Sequence, residues 1–144
     1  MPTSARQHPF SLHIHHVQHD FKVLEFTGEE AISTPYAFKI ELVSEHAGID
    51  LDTLMSHSAF LAFDDQGCGV HGQILDIEQG HSDSRLTRYY LTLTPHLANL
   101  KYRTNHRIFQ NLTVQQIIET LLEEHGIFSD AYAFNAFSPC LPRE

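Results

Sequence analysis

The chain has 144 residues, of which 42% are hydrophobic and 19% charged, a composition typical of one globular domain and unlike that of a disordered segment. Its formal net charge of −9 with neutral histidines argues against nucleic acid as a partner. No run approaches the ~20 apolar residues that a membrane-spanning helix needs. The first residues lack the apolar core of a signal peptide, so we expect synthesis in the cytoplasm without one.

Six short strands are predicted before residue 95, because apolar and polar side chains alternate there with a period of two. The predicted segments are 12–15, 21–27, 36–43, 59–63, 70–77 and 85–94. We expect a break at residues 28–30 and a polar loop at residues 80–84. Strands at this spacing favour an antiparallel barrel or sandwich over alternating strands and helices.

The predicted fold class is therefore β-rich α+β, with an antiparallel β-barrel followed by one capped amphipathic helix near residues 114–125. Thr113 and Gln116 form a capping box at the helix start, and Gly126 marks its end. The apolar stripe of the helix consists of Val114, Ile117, Ile118, Leu121 and Leu122. This stripe needs a partner surface, because a helix of about a dozen residues is marginal alone.

Four histidines lie within residues 11–19. On a strand, His13 and His15 point the same way, ~6.5–7 Å apart, and two imidazoles at that spacing can share a metal ion. A zinc site needs three or four ligands. The sequence identifies no third ligand, although His71 or Asp20 could lie near in space. We expect an exposed polar face here, with no metal and no cofactor, and keep a metal site or a pH-sensitive interface as alternatives.

The sequence shows no constellation for catalysis. It contains no nucleophile elbow, zinc-protease, P-loop or dinucleotide motif. Asp64 and Asp65 precede a glycine and are typical of a solvated turn. Cys68 has His71 nearby in sequence but no oriented base, and Cys68 with Cys140 is too small a set for a disulfide framework. We predict that the chain is not an enzyme.

Several segments together carry a family resemblance. They are residues 28–38, with the sequence Gly-Glu-Glu-Ala-Ile-Ser-Thr-Pro-Tyr-Ala-Phe, then His71-Gly72, then residues 88–95, and residues 107–118 followed by His125-Gly126. In order and spacing the set, which spans about residues 9–127, resembles the N-terminal hub region of VgrG. VgrG is the valine–glycine repeat spike protein of type VI secretion, similar to contractile-phage tail hubs of the late-control-gene-D type.

The resemblance implies a structural part of a contractile injection machine. Family members form a trimer whose N-terminal regions build a ring of tube-type β-barrels that docks on a hexameric, Hcp-like tube protein. Residues 8–104 would be the first hub barrel, and residues 105–144 the helix and the connecting segment that leads into the next hub domain. A spike-tip cap protein and effectors would attach only through parts missing here. The protein would leave the cell with the secretion spike, to the outside or into a target cell.

Two alternatives stay open beside the secretion spike. One is a contractile-phage tail hub, and the other is an unrelated small-ligand or metal-binding β-barrel that uses the strand of His13 and His15. Two prolines in residues 139–144, with no capping glycine, indicate a chain that continues. In the family the first barrel borrows strands from later in the chain, so we expect open sheet edges and self-association of these 144 residues.

Overall fold

A computed structural model of the chain describes residues 10–135 and 141–142. The chain divides into two compact units, Met1–Pro95 and His96–Glu144. Cys140 and most of the proline-containing segment at residues 139–144 lie outside the described residues. The assignment of residues 8–104 and 105–144 to successive parts of a hub stays a prediction.

The first unit is built on one antiparallel sheet of six strands. They are β1 (Ser11–Ile14), β2 (Lys22–Ala31), β3 (Thr34–Ser44), β4 (Ser58–Ala62), β5 (Gly69–Ser82) and β6 (Thr87–Thr94). Neighbouring strands hydrogen-bond in the order β1-β4-β5-β6-β3-β2. The sheet curls so that its two end strands, β1 and β2, come close without forming a ladder in the described part of the chain. This half-barrel confirms the predicted β-rich antiparallel fold.

Alternation along the strands determines which side chains fill the half-barrel. On β6, Tyr89, Leu91 and Leu93 face inward and are at most 2% exposed. The buried Tyr89 hydroxyl donates to the carbonyl oxygen of His46 at 3.0 Å, so it carries no unsatisfied polar group into the core. Burying each such aliphatic side chain contributes roughly 1.5–3 kcal/mol. The predicted inward face of this strand is confirmed.

The break predicted at residues 28–30 is wrong, because β2 continues to Ala31 and stays paired with β3, although the register shifts between Glu29 and Ala31. Gly28 lies opposite Phe38, and a Cβ at position 28 would come within 2.2 Å of that ring. The glycine therefore makes room for an aromatic side chain on the neighbouring strand and does not interrupt its own strand.

The polar loop predicted at residues 80–84 also begins too early, because β5 runs on through Ser82. A Cβ at Gly80 would lie 2.6 Å from the ring of Tyr90 on β6. The physical reason is the same as for Gly28. Glycine is typical of turns, but here it lies within a strand and makes room for an aromatic ring on the neighbouring strand.

The second unit contains a short 3₁₀ helix, His96–Tyr102, which the sequence analysis did not predict, and the helix α1, Val114–Glu123. The predicted capping box is present. The Thr113 hydroxyl accepts the backbone N–H of Gln116 at 3.2 Å, and the Gln116 side-chain oxygen accepts the backbone N–H of Thr113 at 2.9 Å. These two bonds satisfy donors that the first turn of a helix otherwise leaves unpaired.

The end of α1 also follows the prediction. Gly126 has a φ of +74°, and the backbone N–H of Ile127 donates to the carbonyl oxygen of Leu122 at 2.9 Å. Leu122 and Ile127 are 7% and 9% exposed, whereas Val114 and Ile118 are 39% and 38% exposed. The apolar stripe of the helix is therefore only partly covered.

Candidate functional site and assembly surfaces

The side chain of His13 is exposed on β1, whose other side faces the core. β1 ends at Ile14 and the exposed His15 belongs to the turn that follows, so the prediction that both histidines lie on one strand is wrong. In the β1–β4 ladder His13 lies opposite Phe60, and in the β4–β5 ladder Phe60 lies opposite His71. The rings of Phe60 and His71 pack with centroids 4.4 Å apart. The three side chains form a row in which a phenyl ring separates two imidazoles.

This arrangement does not gather metal ligands. No group of three or more histidine, cysteine or carboxylate side chains among the described residues is placed to hold a metal ion. His15 packs against the neighbouring His16, with ring centroids 4.4 Å apart, and His71 is one strand further from His13 than Phe60 is. The assignment of His13 and His15 to a polar face, and not to a metal, remains a prediction.

Asp20, the other ligand suggested from sequence, instead links the segment just before β2 to the end of β3. Its carboxylate accepts the Ser44 hydroxyl at 2.5 Å and the backbone N–H of Glu45 at 2.8 Å, and Nδ1 of His46 lies 3.2 Å away. Burial opposes ionisation of Asp20, but the hydrogen bonds from Ser44, Glu45 and His46 outweigh it and lower its pKa to about 2. The side chain has a structural role in the sheet.

His19 is held in its neutral form. Burial of the ring lowers the pKa of His19, the charge of His13 lowers it further, and Asp20 opposes both. Nδ1 of His19 accepts the backbone N–H of Phe21 at 3.2 Å, which requires an unprotonated nitrogen there. The last histidine of the stretch thus supports the start of β2.

The two candidates for catalysis form a turn. Asp64 accepts the backbone N–H groups of Gln66 and Cys68 at 2.9 and 3.0 Å, as expected for a solvated turn. Cys68 is exposed, and its hydrogen bond to Asp64, followed by the charge of that carboxylate, raises the pKa of the thiol. A raised pKa disfavours the thiolate, the form in which a cysteine acts as a nucleophile.

The outer face of the sheet carries an acidic row that the sequence analysis did not single out. Glu25, Glu41, Tyr90 and Glu78 lie directly opposite one another on β2, β3, β6 and β5. Arg88 donates to Glu41 and offsets part of the charge. Each of these residues falls on the polar side of its strand, so alternation indicated that they face outward. Only the strand order shows that they are neighbours.

The hairpin between β2 and β3 is exposed along its whole tip, from residue 27 to residue 35, and we call these residues the arm. Ala31 pairs with Thr34, which leaves Ile32 and Ser33 as a two-residue turn. Ser33 has a φ of +62°, and the side chain of Ile32 is 97% exposed. Turns favour glycine, asparagine and aspartate, so the turn itself gives no reason for an isoleucine. Ile32, an apolar residue at a position where turns favour polar residues or glycine, is the sequence feature that could have indicated this exposed side chain.

The ends of the sheet meet through aromatic rings. Phe10, just before β1, packs edge-on against Phe26 of β2 with centroids 5.0 Å apart, and Phe26 stacks on Phe63 at 5.3 Å. β1 has 4 residues and β2 has 10. β1 and β2 are the two end strands of the sheet and are not paired with each other, so the outer edge of β2 has no strand partner in the described part of the chain. Such an edge is a template for a further strand.

The second unit contains a groove with apolar and basic walls, which we call the basic groove. Its lining includes the half-buried Leu100, Phe109 and Leu121 and the exposed Arg103, Arg107 and His125. Arg107 donates to Glu124 at 2.6 Å. Arg103 has no ion-pair partner among the described residues. The groove therefore offers apolar contact together with uncompensated positive charge.

No helix in the described residues combines the length and the apolar character needed to cross a membrane. The described surfaces include an open strand edge, a protruding hairpin, a charged sheet face, the basic groove and a pocket lined in part by His19, Asp20 and His46. An open strand edge and a protruding hairpin are features through which proteins commonly contact other proteins.

Comparisons with a family model and with individual proteins identify what this chain is similar to. The family model of the phage tail baseplate hub (GPD) matches residues 29–144. The chain is 58% identical over 130 residues, 90% of its length, to the type VI secretion system spike protein VgrG4b of Pseudomonas aeruginosa. It is 52% identical over 130 residues to VgrG5 of the same organism. The chain spans 16% of the length of each of these relatives.

Among solved structures, the chain is similar to the E. coli c3393 protein, with a TM-score of 0.88 and 30% sequence identity. The superposition covers 93% of this chain and 37% of that one. The c3393 protein is a component of the type VI secretion system with structural similarity to the T4 bacteriophage tail proteins gp27 and gp5. The resemblance to VgrG-type hub regions is thus confirmed, and the chain belongs to the phage tail baseplate hub (GPD) family.

Proposed function

We propose that this chain is the N-terminal hub part of a trimeric type VI secretion spike, a non-enzymatic assembly module that docks on a hexameric tube protein. The observation that carries this proposal is the 58% identity to a secretion spike protein over 90% of the chain. The fold likeness to a type VI secretion component over 93% of the chain supports it.

The half-barrel suits a part that is completed by neighbours. The outer edge of β2, which has no strand partner among the described residues, offers backbone donors and acceptors to a further strand, and the arm projects an apolar side chain. In a trimer whose subunits each contribute two related barrels, the ring presents pseudo-sixfold symmetry to a hexameric tube. Residues 105–144 would lead into the next hub domain, and a cap protein and effectors would bind elsewhere on the spike.

In this proposal the protein is made in the cytoplasm and leaves the cell with the spike, to the outside or into a target cell. The alternative is a contractile-phage tail hub, which the description of the matching family favours. The secretion spike is preferred because the relatives at 58% and 52% identity are both type VI secretion spike proteins.

The proposal is tested in cells with an active type VI apparatus. Deleting residues 10–135 in frame from the intact protein is expected to abolish release of the tube protein into the medium, and the wild-type gene should restore it. Cys68→Ala is the matched control and should leave release unchanged, because no reaction at this thiol is involved. Tube protein released normally by the deletion strain would contradict the proposal. Phage-tail-like particles that contain the protein would favour the tail hub.

A further inference from the structure

We propose that the arm of one copy of this chain docks into the basic groove of a second copy, with Ile32 as the inserted side chain. The inference rests on the proposed function, since it assigns one contact within the homo-oligomer. It commits to a second copy as the occupant because the two complementary surfaces are carried by the same chain.

The arm is anionic with an apolar tip. Ile32 is 97% exposed, so no described residue of its own unit covers it. Glu29 and Glu30 lie just before it, and residues 27–35 contain no lysine or arginine. The arm is a two-stranded hairpin whose register shifts between Glu29 and Ala31 and whose last pair is Ala31–Thr34, so Ile32 is presented directly beyond a paired position. A partner therefore needs an apolar recess bordered by positive charge.

The basic groove has both properties. Phe109 and Leu121 supply half-buried apolar surface, and Arg103 and Arg107 border it. The carboxylate of Glu124 also lines the groove and is paired with Arg107, which leaves Arg103 as the cation that faces an incoming acidic group. Residues 101–107 include three lysine or arginine residues, the densest basic segment in a chain whose net charge is −9. In a chain with net charge −9, this basic segment is the one that charge complementarity favours for an acidic hairpin.

The contact joins two different surfaces, so it is heterologous. Such a contact closes into a ring when the rotation between copies is right and otherwise grows into an open filament. In a closed trimer each arm occupies the groove of its neighbour, and no arm or groove is left unfilled. A ring is therefore the arrangement in which Ile32 is buried in every subunit.

Disulfide cross-linking of the intact protein tests the contact directly. In a background with Cys68→Ser and Cys140→Ser, the pair Ile32→Cys and Asn105→Cys should give covalent dimers and trimers on mild oxidation. Asn105 is an exposed groove residue, so its replacement removes no core packing. The matched control combines Ile32→Cys with Phe128→Cys. Phe128 is also exposed in the second unit but does not line the groove, so this pair should give no covalent dimers or trimers.

A charge exchange provides a second readout without cysteines. Glu30→Lys should weaken self-association about tenfold in sedimentation experiments, and adding Arg103→Glu should restore it. Glu78→Lys makes the same charge change on the outer face of the sheet and should leave association unchanged. Recovery by the double variant distinguishes a pairwise contact from a general effect of charge.

The outcomes separate this inference from the proposed function. If light scattering shows a trimer but the cross-link is absent and Glu30→Lys behaves like Glu78→Lys, the docking is wrong while the hub assignment stands. If Ile32→Cys links to the tube protein and not to a second copy, the docking is also overturned. An intact protein that is monomeric and dispensable for tube-protein release would overturn both.

Discussion

The two compact units of this chain are stabilised in different ways. In the first unit, the buried hydrophobic side chains from all six strands form one cluster between residues 12 and 93. In the described part of the second unit, only Leu122 and Ile127 are buried to this extent, and α1 depends on its caps. The first unit therefore gains its stability from long-range packing, whereas the second relies more on local hydrogen bonds, because its helix stripe is only partly covered.

The largest expected effect comes from truncating the core of the first unit. Leu93 is 0% exposed and packs against Gly72 across the sheet, so Leu93→Ala leaves a cavity and should reduce the free energy of unfolding by about 3 kcal/mol. The matched change in the second unit, Ile118→Ala, removes a side chain that is 38% exposed and should cost less than about 1 kcal/mol. Urea denaturation measures both, and equal losses would contradict the contrast between the units.

A smaller, local effect is expected at the start of α1. Thr113→Ala removes the hydroxyl that accepts the Gln116 N–H and should destabilise the helix by about 1 kcal/mol. Amide hydrogen exchange should accelerate in residues 114–123 and stay unchanged in β6. Thr120→Ala is the control, because this hydroxyl donates to a carbonyl within the helix and caps nothing. Acceleration that extends into β6 would show that the two units unfold together.

The smallest effect is the pH dependence from Asp20, which belongs to the first unit alone. Its folded pKa of about 2 lies below the ordinary value of about 4. The stabilisation is therefore complete above about pH 4 and is lost as the pH falls through 2. The side chain is 33% exposed, so solvent screening limits the effect to about 1 kcal/mol.

Asp20→Asn should flatten the dependence of the urea midpoint on pH between 5 and 2, since it removes the ionising group. Asp65→Asn, at an exposed turn position, should leave the wild-type dependence in place. A steep acid loss that persists in Asp20→Asn would assign the dependence to other carboxylates.

Local patterns predicted much of both units. The alternation of apolar residues around Tyr89 identified the buried face of β6, and the pair Thr113 and Gln116 identified the start of α1. Both succeed because the deciding interactions lie within a few residues of each other. The lengths of β2 and β5 were underestimated because glycine is typical of turns. Gly28 and Gly80 instead make room for aromatic rings on neighbouring strands, which only the structure shows.

By itself, the sequence determined the order of the six strands and α1 along the chain, the inward side of strands such as β3 and β6, and the caps of the helix, since periodicity and capping are short-range properties. Only the tertiary structure decided which strands are neighbours, that β1 and β2 leave the sheet open, and that Ile32 stands exposed at the tip of a hairpin. Strand order, edge pairing and exposure depend on contacts between residues far apart in the chain, and one-dimensional spacing does not encode the distances between them.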